Sequence, residues 1–402
     1  MKYQSAIDYL FNQLANYQKT GSTAYKPGLD NIKILLNSLN NPEKNLKTIH
    51  LAGTNGKGST AHIIASILIE NGYKVGLFTS PHIKDFRERI KINGKIISQK
   101  DVTNFIENNR QNFKTISPSF FEITTAMAFY LFNQYKCDIS IIETGLGGRL
   151  DSTNVIEPEV SVITNIGIDH TEFLGDTIEE ITVEKAGIIK YNTPVVIGEF
   201  NPITYEIFQS QSKEKRANIV ISDQQKVETD LLGQFQQQNC SVALTTINVL
   251  KEKGWYIDNK KTQIALTRVK YNTNLRGRLE QISLNPKIII DASHNEDGIR
   301  NLFKEVSLMT FNNLHCIYAT SSDKNVEDIM SLFPKQATYY LTTFNSKRSL
   351  SPNELEIKAK KYHLSYSIYK NIDKALESAK QTYHQGDLIL IFGSFFLLEK
   401  II

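Results

Sequence analysis

The chain has 402 residues, 41% of them hydrophobic, and a formal net charge of +4. That length predicts two or three domains with real cores, and the small charge gives no argument for nucleic acid while suiting anionic small substrates. Its three cysteines, Cys137, Cys240 and Cys316, lack C-x-x-C spacing, which argues against a disulfide framework or zinc site and fits a reducing cytoplasm. The opening segment is too polar for a signal peptide, and no apolar run approaches the roughly 18 residues of a membrane span.

In chain order, the first strand is the apolar run Ile49–Ala52. A turn with Gly53, Gly56 and Gly58 around Lys57 follows, then Ser59, Thr60 and a helix over Ala61–Glu70 that stops at Asn71-Gly72. Strands follow at Val75–Thr79, Asp138–Glu143, Val160–Thr164 and Pro194–Ile197, with helical periodicity over Phe121–Tyr135 and Thr177–Ile189. The glutamine-rich Gln234–Gln238 opens a helix to Leu250. A second series of strands comprises Lys287–Asp291, Leu314–Ala319, Ala337–Thr342 and Leu388–Phe392. The polar Lys270–Asn274 carries turn residues and marks a boundary, dividing the chain into 1–272 and 273–402. Continuous apolar strands alternating with helices predict parallel sheets covered on both faces. Ligands then bind at the carboxyl ends of the strands.

A strand, a glycine-rich turn and a helix start form a cradle for phosphate, because backbone N–H groups and the helix dipole face the anion. Lys57 is placed to reach the terminal phosphates, and a hydroxyl to ligate Mg²⁺. The Walker pattern is broken at two places, by Leu51 and Gly58. Glu143 ends a buried strand, where a carboxylate needs a partner, which makes it a metal candidate. Ser80, before Pro81, either ligates the metal or caps the turn.

GTNGKGS resembles the ATP-dependent Mur ligase family, specifically its folylpolyglutamate synthase/dihydrofolate synthase branch. TSPH at 79–82, the loop Gly145–Asn154, EKAGI at 184–188, LRGRLE at 275–280 and IDASHN at 290–295 also resemble its motifs. The implied fold is α/β: an N-terminal doubly wound, mainly parallel P-loop ATPase domain and a smaller C-terminal Rossmann-like domain.

The resemblance implies that Gly53, Thr54, Asn55, Gly56, Lys57, Gly58, Ser59, Thr60, Asn239, Arg278, Asp291 and His294 bind ATP. It implies metal ligands at Ser59, Ser80, Glu143 and His170, an unusual nitrogen donor for Mg²⁺. Lys185 is either a plain cation on phosphate or a CO₂ carbamate that ligates a second Mg²⁺. Lys57, Lys185 and His170 are the implied catalytic groups. Arg149 and Asp151 would order the mobile loop. Asp151 and Phe121 would meet the folate, although Phe121 reads equally as core. Asp323, Lys324 and Arg348 would bind glutamate. Departures from the family pattern are Glu296 in place of a proline and Phe235 in place of a histidine.

The implied reaction is ATP-driven formation of an acyl phosphate on dihydropteroate or a reduced folate, which the amine of L-glutamate then attacks. The domains are expected to close first, because an acyl phosphate hydrolyses readily. This places the expected active site in the cleft between domains. Two Mg²⁺ sites and a monomer are implied, with no nucleic-acid or membrane partner, and K⁺ activation stays open. The first fifty residues, including Tyr25–Asn31, are expected to help form the acceptor pocket. Another Mur-type carboxylate–amine ligase is the alternative, although a separate nucleotide-sugar domain has no room ahead of the ATPase motif. A nucleotide switch without ligation would not need Glu143, His170 and Arg278 together.

Overall fold

The computed structural model describes residues 1–12 and 28–402. Tyr25–Pro27, the start of the expected pocket segment, lie outside them. The chain forms two compact units, Met1–Leu231 with Phe235–Leu275, and Leu232–Gln234 with Arg276–Ile402.

The first unit opens with α1 (Tyr3–Asn12) and α2 (Asp30–Ser38). Then come β1 (Thr48–Ala52), α3 (Lys57–Glu70), β2 (Val75–Phe78), β3 (Ile90–Ile92), β4 (Lys95–Ile96), α4 (Gln99–Ile116), α5 (Phe120–Gln134) and β5 (Ile139–Glu143). It continues through β6 (Val160–Ile163), α6 (Thr171–Leu174), α7 (Ile178–Ala186), β7 (Val195–Ile197), α8 (Pro202–Lys215) and β8 (Ile219–Ile221). Three helices close it, α9 (Gln234–Glu252), α10 (Asn259–Leu266) and α11 (Val269–Thr273).

Its sheet runs β4-β3-β2-β5-β1-β6-β7-β8. β2 to β8 pair in parallel, while β3 and β4 are antiparallel at one edge. Every residue of β1, β2, β5 and β6 is buried, as continuous apolar strands covered on both faces require. One core joins α3, α9 and α10 to the sheet, and another joins α1, α2, α4 and α5 to it. In register, Glu143 lies beside Leu51, and Ala52 beside Ile163. The ends of β5 and β6 therefore flank the glycine turn that leaves β1.

The second unit holds β9 (Glu280–Leu284), β10 (Lys287–Asp291), α12 (Glu296–Ser307), β11 (Leu314–Tyr318), α13 (Val326–Ser331), β12 (Thr338–Leu341) and α14 (Pro352–Lys361). β13 (Ser365–Ile368), α15 (Ile372–Thr382), β14 (Leu388–Phe392) and α16 (Phe395–Leu398) complete it. Its sheet, β13-β12-β11-β14-β10-β9, is parallel except at β9.

Two local expectations change. Lys270–Asn274 is not a turn: it is mostly α11, which packs on α3. The Lys91 ammonium donates to the carbonyls of Thr273 (2.9 Å) and Asn274 (3.2 Å), which end this helix. Thr273, Asn274 and Leu275 thus stay with the first unit. Strands β3, β4, β8, β9 and β13 were not anticipated, because each is short or mixes polar with apolar residues, at or next to a sheet edge.

Candidate functional site

The phosphate-loop candidate is built by β1 and α3. Gly56 caps α3 at φ 81°, and Gly53 stands at φ 149°. A Cβ on Gly53 would lie 1.9 Å from Thr164 Oγ1, and one on Gly56 would lie 2.3 Å from Asn239 Oδ1. Both glycines are thus required by conformation and by close approach. The loop is clamped from the end of β6: Thr54 N–H donates to Asn165 O (3.0 Å), Asn55 N–H to Asn165 Oδ1 (2.8 Å), and Thr164 Oγ1 to Asn55 O (2.6 Å). Thr54 Oγ1 donates to Gly167 O at 3.0 Å. The Lys57 ammonium donates to Gly53 O (2.8 Å) and Thr54 O (3.2 Å), so it folds back over the loop. Gly58, Ser59 and Thr60 lie in the first turn of α3, and the two hydroxyl residues are buried. The first N–H groups of a helix lack intrahelical partners, which suits an anion.

Glu143 ends β5 buried, and its Oε2 accepts the Ser80 N–H at 3.0 Å. The strand order, with β2 beside β5, brings these residues together. Beneath them is Arg89, which sequence reasoning missed. It is buried, and its Nε donates to His82 Nδ1 at 2.8 Å. Burial pulls the Arg89 pKa down to about 10, while Glu143 and Glu88 oppose the shift. Burial and the Arg89 charge hold His82 well below its usual value. The chain carried no signal for it, because the burial that makes an arginine need a carboxylate nearby is decided by the fold. His170 lies beyond β6 in the left-handed region at φ 53°, capping α6, with Nε2 3.8 Å from Asp169 Oδ2.

Lys185, on α7, is buried and donates to Gly53 O at 3.0 Å, so it touches the phosphate loop. Burial is the main cause that lowers its pKa to about 7, the Lys57 charge adds to it, and Asp169 and Asp151 oppose it. Arg149 N–H donates to Glu184 O (2.7 Å), and its guanidinium pairs with the Glu184 carboxylate (2.6 Å). The half-buried Phe121 places its ring against Gly145, where a Cβ would lie 2.5 Å from it.

Asp151 is placed to hold its own loop, as expected of it. Asp151 is buried, and its carboxylate accepts Gly145 N–H (2.9 Å), Leu146 N–H (2.8 Å), Thr153 N–H (2.9 Å) and Thr153 Oγ1–H (2.5 Å). Four donors within its own loop occupy both oxygens.

Asn239 is buried on α9, held by Gln236 Oε1 at 2.9 Å and pressed on Gly56. In the second unit, Arg278 stacks over Phe395 at 4.8 Å, and the His294 ring lies 6.1 Å from the same phenylalanine. Asp291 is buried and accepts Leu279 N–H (2.7 Å), Ser293 N–H (2.7 Å) and Ser293 Oγ–H (2.5 Å), bracing the turns that carry Arg278 and His294. Arg348 clasps Asp323 with two contacts of 2.9 Å. Burial alone would raise the Asp323 pKa, but the Arg348 charge and hydrogen bond, with Lys324 nearby, hold it below the usual value.

Glu143 and Ser80 offer the oxygen donors that a hard divalent cation takes. Among the described residues, no group of three His, Cys, Asp or Glu side chains gathers to hold a metal ion, at this place or elsewhere. No helix among them is long and apolar enough to cross a membrane.

Residues 51–222 match the Mur ligase middle domain, and residues 277–395 the Mur ligase glutamate ligase domain. The chain is 32% identical to the dihydrofolate synthase/folylpolyglutamate synthase of Bacillus subtilis (strain 168), over 99% of this chain and 98% of the relative. Its fold is similar to E. coli FolC in complex with DHPP and ADP, with a TM-score of 0.88 and 25% identity over 100% and 97% of the two chains. It is also similar to a bifunctional folylpolyglutamate synthase/dihydrofolate synthase with Mn, AMPPNP and L-glutamate bound, with a TM-score of 0.86, 25% identity and the same coverage.

Proposed function

The chain belongs to the Mur ligase family, in its folylpolyglutamate synthase/dihydrofolate synthase branch, and we infer from this how its residues divide the reaction. It is an ATP-dependent carboxylate–amine ligase that adds L-glutamate to folates. The observation that carries the residue assignment is the convergence on one loop: Lys57 and Lys185 both bond to Gly53 O beside the end of β5.

ATP phosphates lie on the backbone of Gly53–Thr60, and Lys57 turns from its loop carbonyls to the terminal phosphate. A divalent cation serves the reaction. We assign it as Mg²⁺ in two sites, one held by Ser59, Ser80, Glu143 and His170 and the other by Lys185 once carbamylated. When bound, the cation neutralises phosphate charge as the carboxylate approaches. The lowered pKa of Lys185 supports carbamylation, because only the neutral amine attacks CO₂. Asn239 is assigned to the adenine, Phe121 to the pterin, and Asp151 to shaping the loop between them. Asp291, Arg278 and His294 form the second unit's nucleotide-facing set, and Asp323, Lys324 and Arg348 its glutamate set. Arginine suits phosphate because its charge is permanent and its fork bidentate.

The acceptor carboxylate attacks the γ-phosphorus of ATP, giving an acyl phosphate and ADP. The glutamate amine then attacks the acyl carbon, loses a proton, and phosphate leaves. Positioning and charge neutralisation supply most of the rate. The test incubates protein, ATP, Mg²⁺ and L-glutamate with 7,8-dihydropteroate or tetrahydrofolate, with and without K⁺, and weighs the products. The reading expects one added glutamate with phosphate release that requires all substrates. Phosphate release without any glutamate adduct would refute it.

A further inference from the structure

His50 sits in the middle of β1, fully buried, with Ile142 of β5 and Ser161 of β6 on either side in register. A fully buried polar side chain there needs a partner, and His50 stands on the face opposite Ile49 and Leu51, which enter the aliphatic core. Its Nε2 lies 2.8 Å from Thr153 Oγ1, and Thr153 Oγ1 lies 2.5 Å from Asp151 Oδ1. All three side chains are buried.

The proton order follows from the acceptor at the end. Three backbone N–H groups aim at Asp151, so its carboxylate accepts. The Thr153 hydroxyl must then donate to Asp151 and accept from His50 Nε2–H. His50 Nδ1 is left unprotonated, buried and without a hydrogen-bond partner among the described residues. Burial, helped by the nearby Lys190 charge, keeps the ring neutral. The chain is thus polarised one way, from β1 to the loop.

At the far end, Asp151 holds the N–H groups of Gly145 and Leu146, where the glycine-rich loop leaves β5. The same loop packs on α7 at Lys185: a Cβ on Gly148 would lie 2.7 Å from Glu184 O and 2.9 Å from Lys185 O. We propose that His50 and Thr153 are positioning residues of the ligase, setting through Asp151 the shape of the loop that borders Glu143 and Lys185. They touch no reacting atom. The proposal rests on the loop serving the reaction as inferred above.

The experiment uses the full chain and the variants Thr153→Val, Thr153→Ser, His50→Leu and the double His50→Leu/Thr153→Val. Amide exchange of residues 144–149 is read by mass spectrometry, and kcat and KM are read for each substrate. Thr153→Val and His50→Leu should each speed exchange of the loop and lower kcat by about tenfold, the effect of roughly one hydrogen bond. The KM for ATP should stay within about twofold. Thr153→Ser should restore both readouts, because it keeps the hydroxyl. The double variant should be no worse than the worse single variant, since members of one chain couple. Wild-type loop exchange in Thr153→Val, additive losses in the double, or no recovery with Thr153→Ser would each overturn the proposal. Loop exchange needs no turnover, so it decides this point even if the ligation assay fails.

Discussion

Replacing His50 by leucine should alter the acid stability of the first unit in a calculable way. Burial lowers the His50 pKa from 6.5 to about 3, with Lys190 contributing. A folded-state pKa below the unfolded one means that the unfolded chain binds the proton first on acidification. The stability is therefore fully present above the unfolded value of 6.5 and is lost as pH falls toward the folded value of about 3. The full shift is about 3.5 units, or ~5 kcal/mol, and ~2 kcal/mol of that is lost between about pH 7.5 and 5. Leucine does not titrate. At neutral pH the variant should be less stable by ~1–3 kcal/mol, because Thr153 loses its donor. That deficit should shrink by ~2 kcal/mol by about pH 5. Urea unfolding followed by tryptophan fluorescence measures this cleanly: Trp255 is the chain's sole tryptophan and packs with Tyr73 on the first unit's core. Comparing the two proteins at each pH cancels the titrations they share. A gap between wild type and variant that stays constant from about pH 7.5 to 5 would refute the reasoning.

Lys57→Ala should lower kcat for ligation by at least ~100-fold with little change in melting temperature, since its bonds to Gly53 O and Thr54 O are partly exposed; a surviving ligation rate would remove Lys57 from the reaction. Glu143→Gln should raise the divalent-cation concentration needed for half-maximal rate by roughly tenfold, as read from a cation titration after chelation. Gly148→Ala should destabilise the first unit by ~1–3 kcal/mol, because its Cβ would meet two backbone carbonyls of α7; thermal melting checks this. Asp323→Asn should change stability by less than about 1 kcal/mol, because the Arg348 pair is partly exposed, yet raise KM for L-glutamate severalfold in steady-state kinetics.

The central strands were legible because a buried parallel strand leaves an unbroken apolar run, as in β10 and β14, whose bounds match the expectation. Edge strands left no such trace, since β4 and β13 are mostly exposed and mix polar with apolar residues. The helix α11 hid in Lys270–Asn274 because its stability comes from packing on α3 and from the Lys91 cap, 182 residues away in sequence at Thr273. Thr164 was missed for a similar reason, because its partner Asn55 lies 109 residues away along the chain; Arg89 was missed because its burial beside His82 and Glu143 leaves no trace in sequence.

Lys57, Gly53 and Gly56 were readable from the chain alone, because a tight turn before a helix needs glycine locally and a phosphate needs a cation beside it. Sequence alone also placed Glu143 and Ser80 at strand ends and separated the first apolar series from the second. What only the tertiary structure decided was which groups those residues face. Strand order set Glu143 against Ser80 and put Arg89 near them. Burial made Lys185 a weak base on the phosphate loop. Asp151 was expected to order its loop, but folding alone shows how: four donors of that loop close around the carboxylate, and Thr153 links it on to His50 in β1. Spacing along the chain specifies local geometry, whereas a charge takes its chemistry from neighbours that only folding supplies.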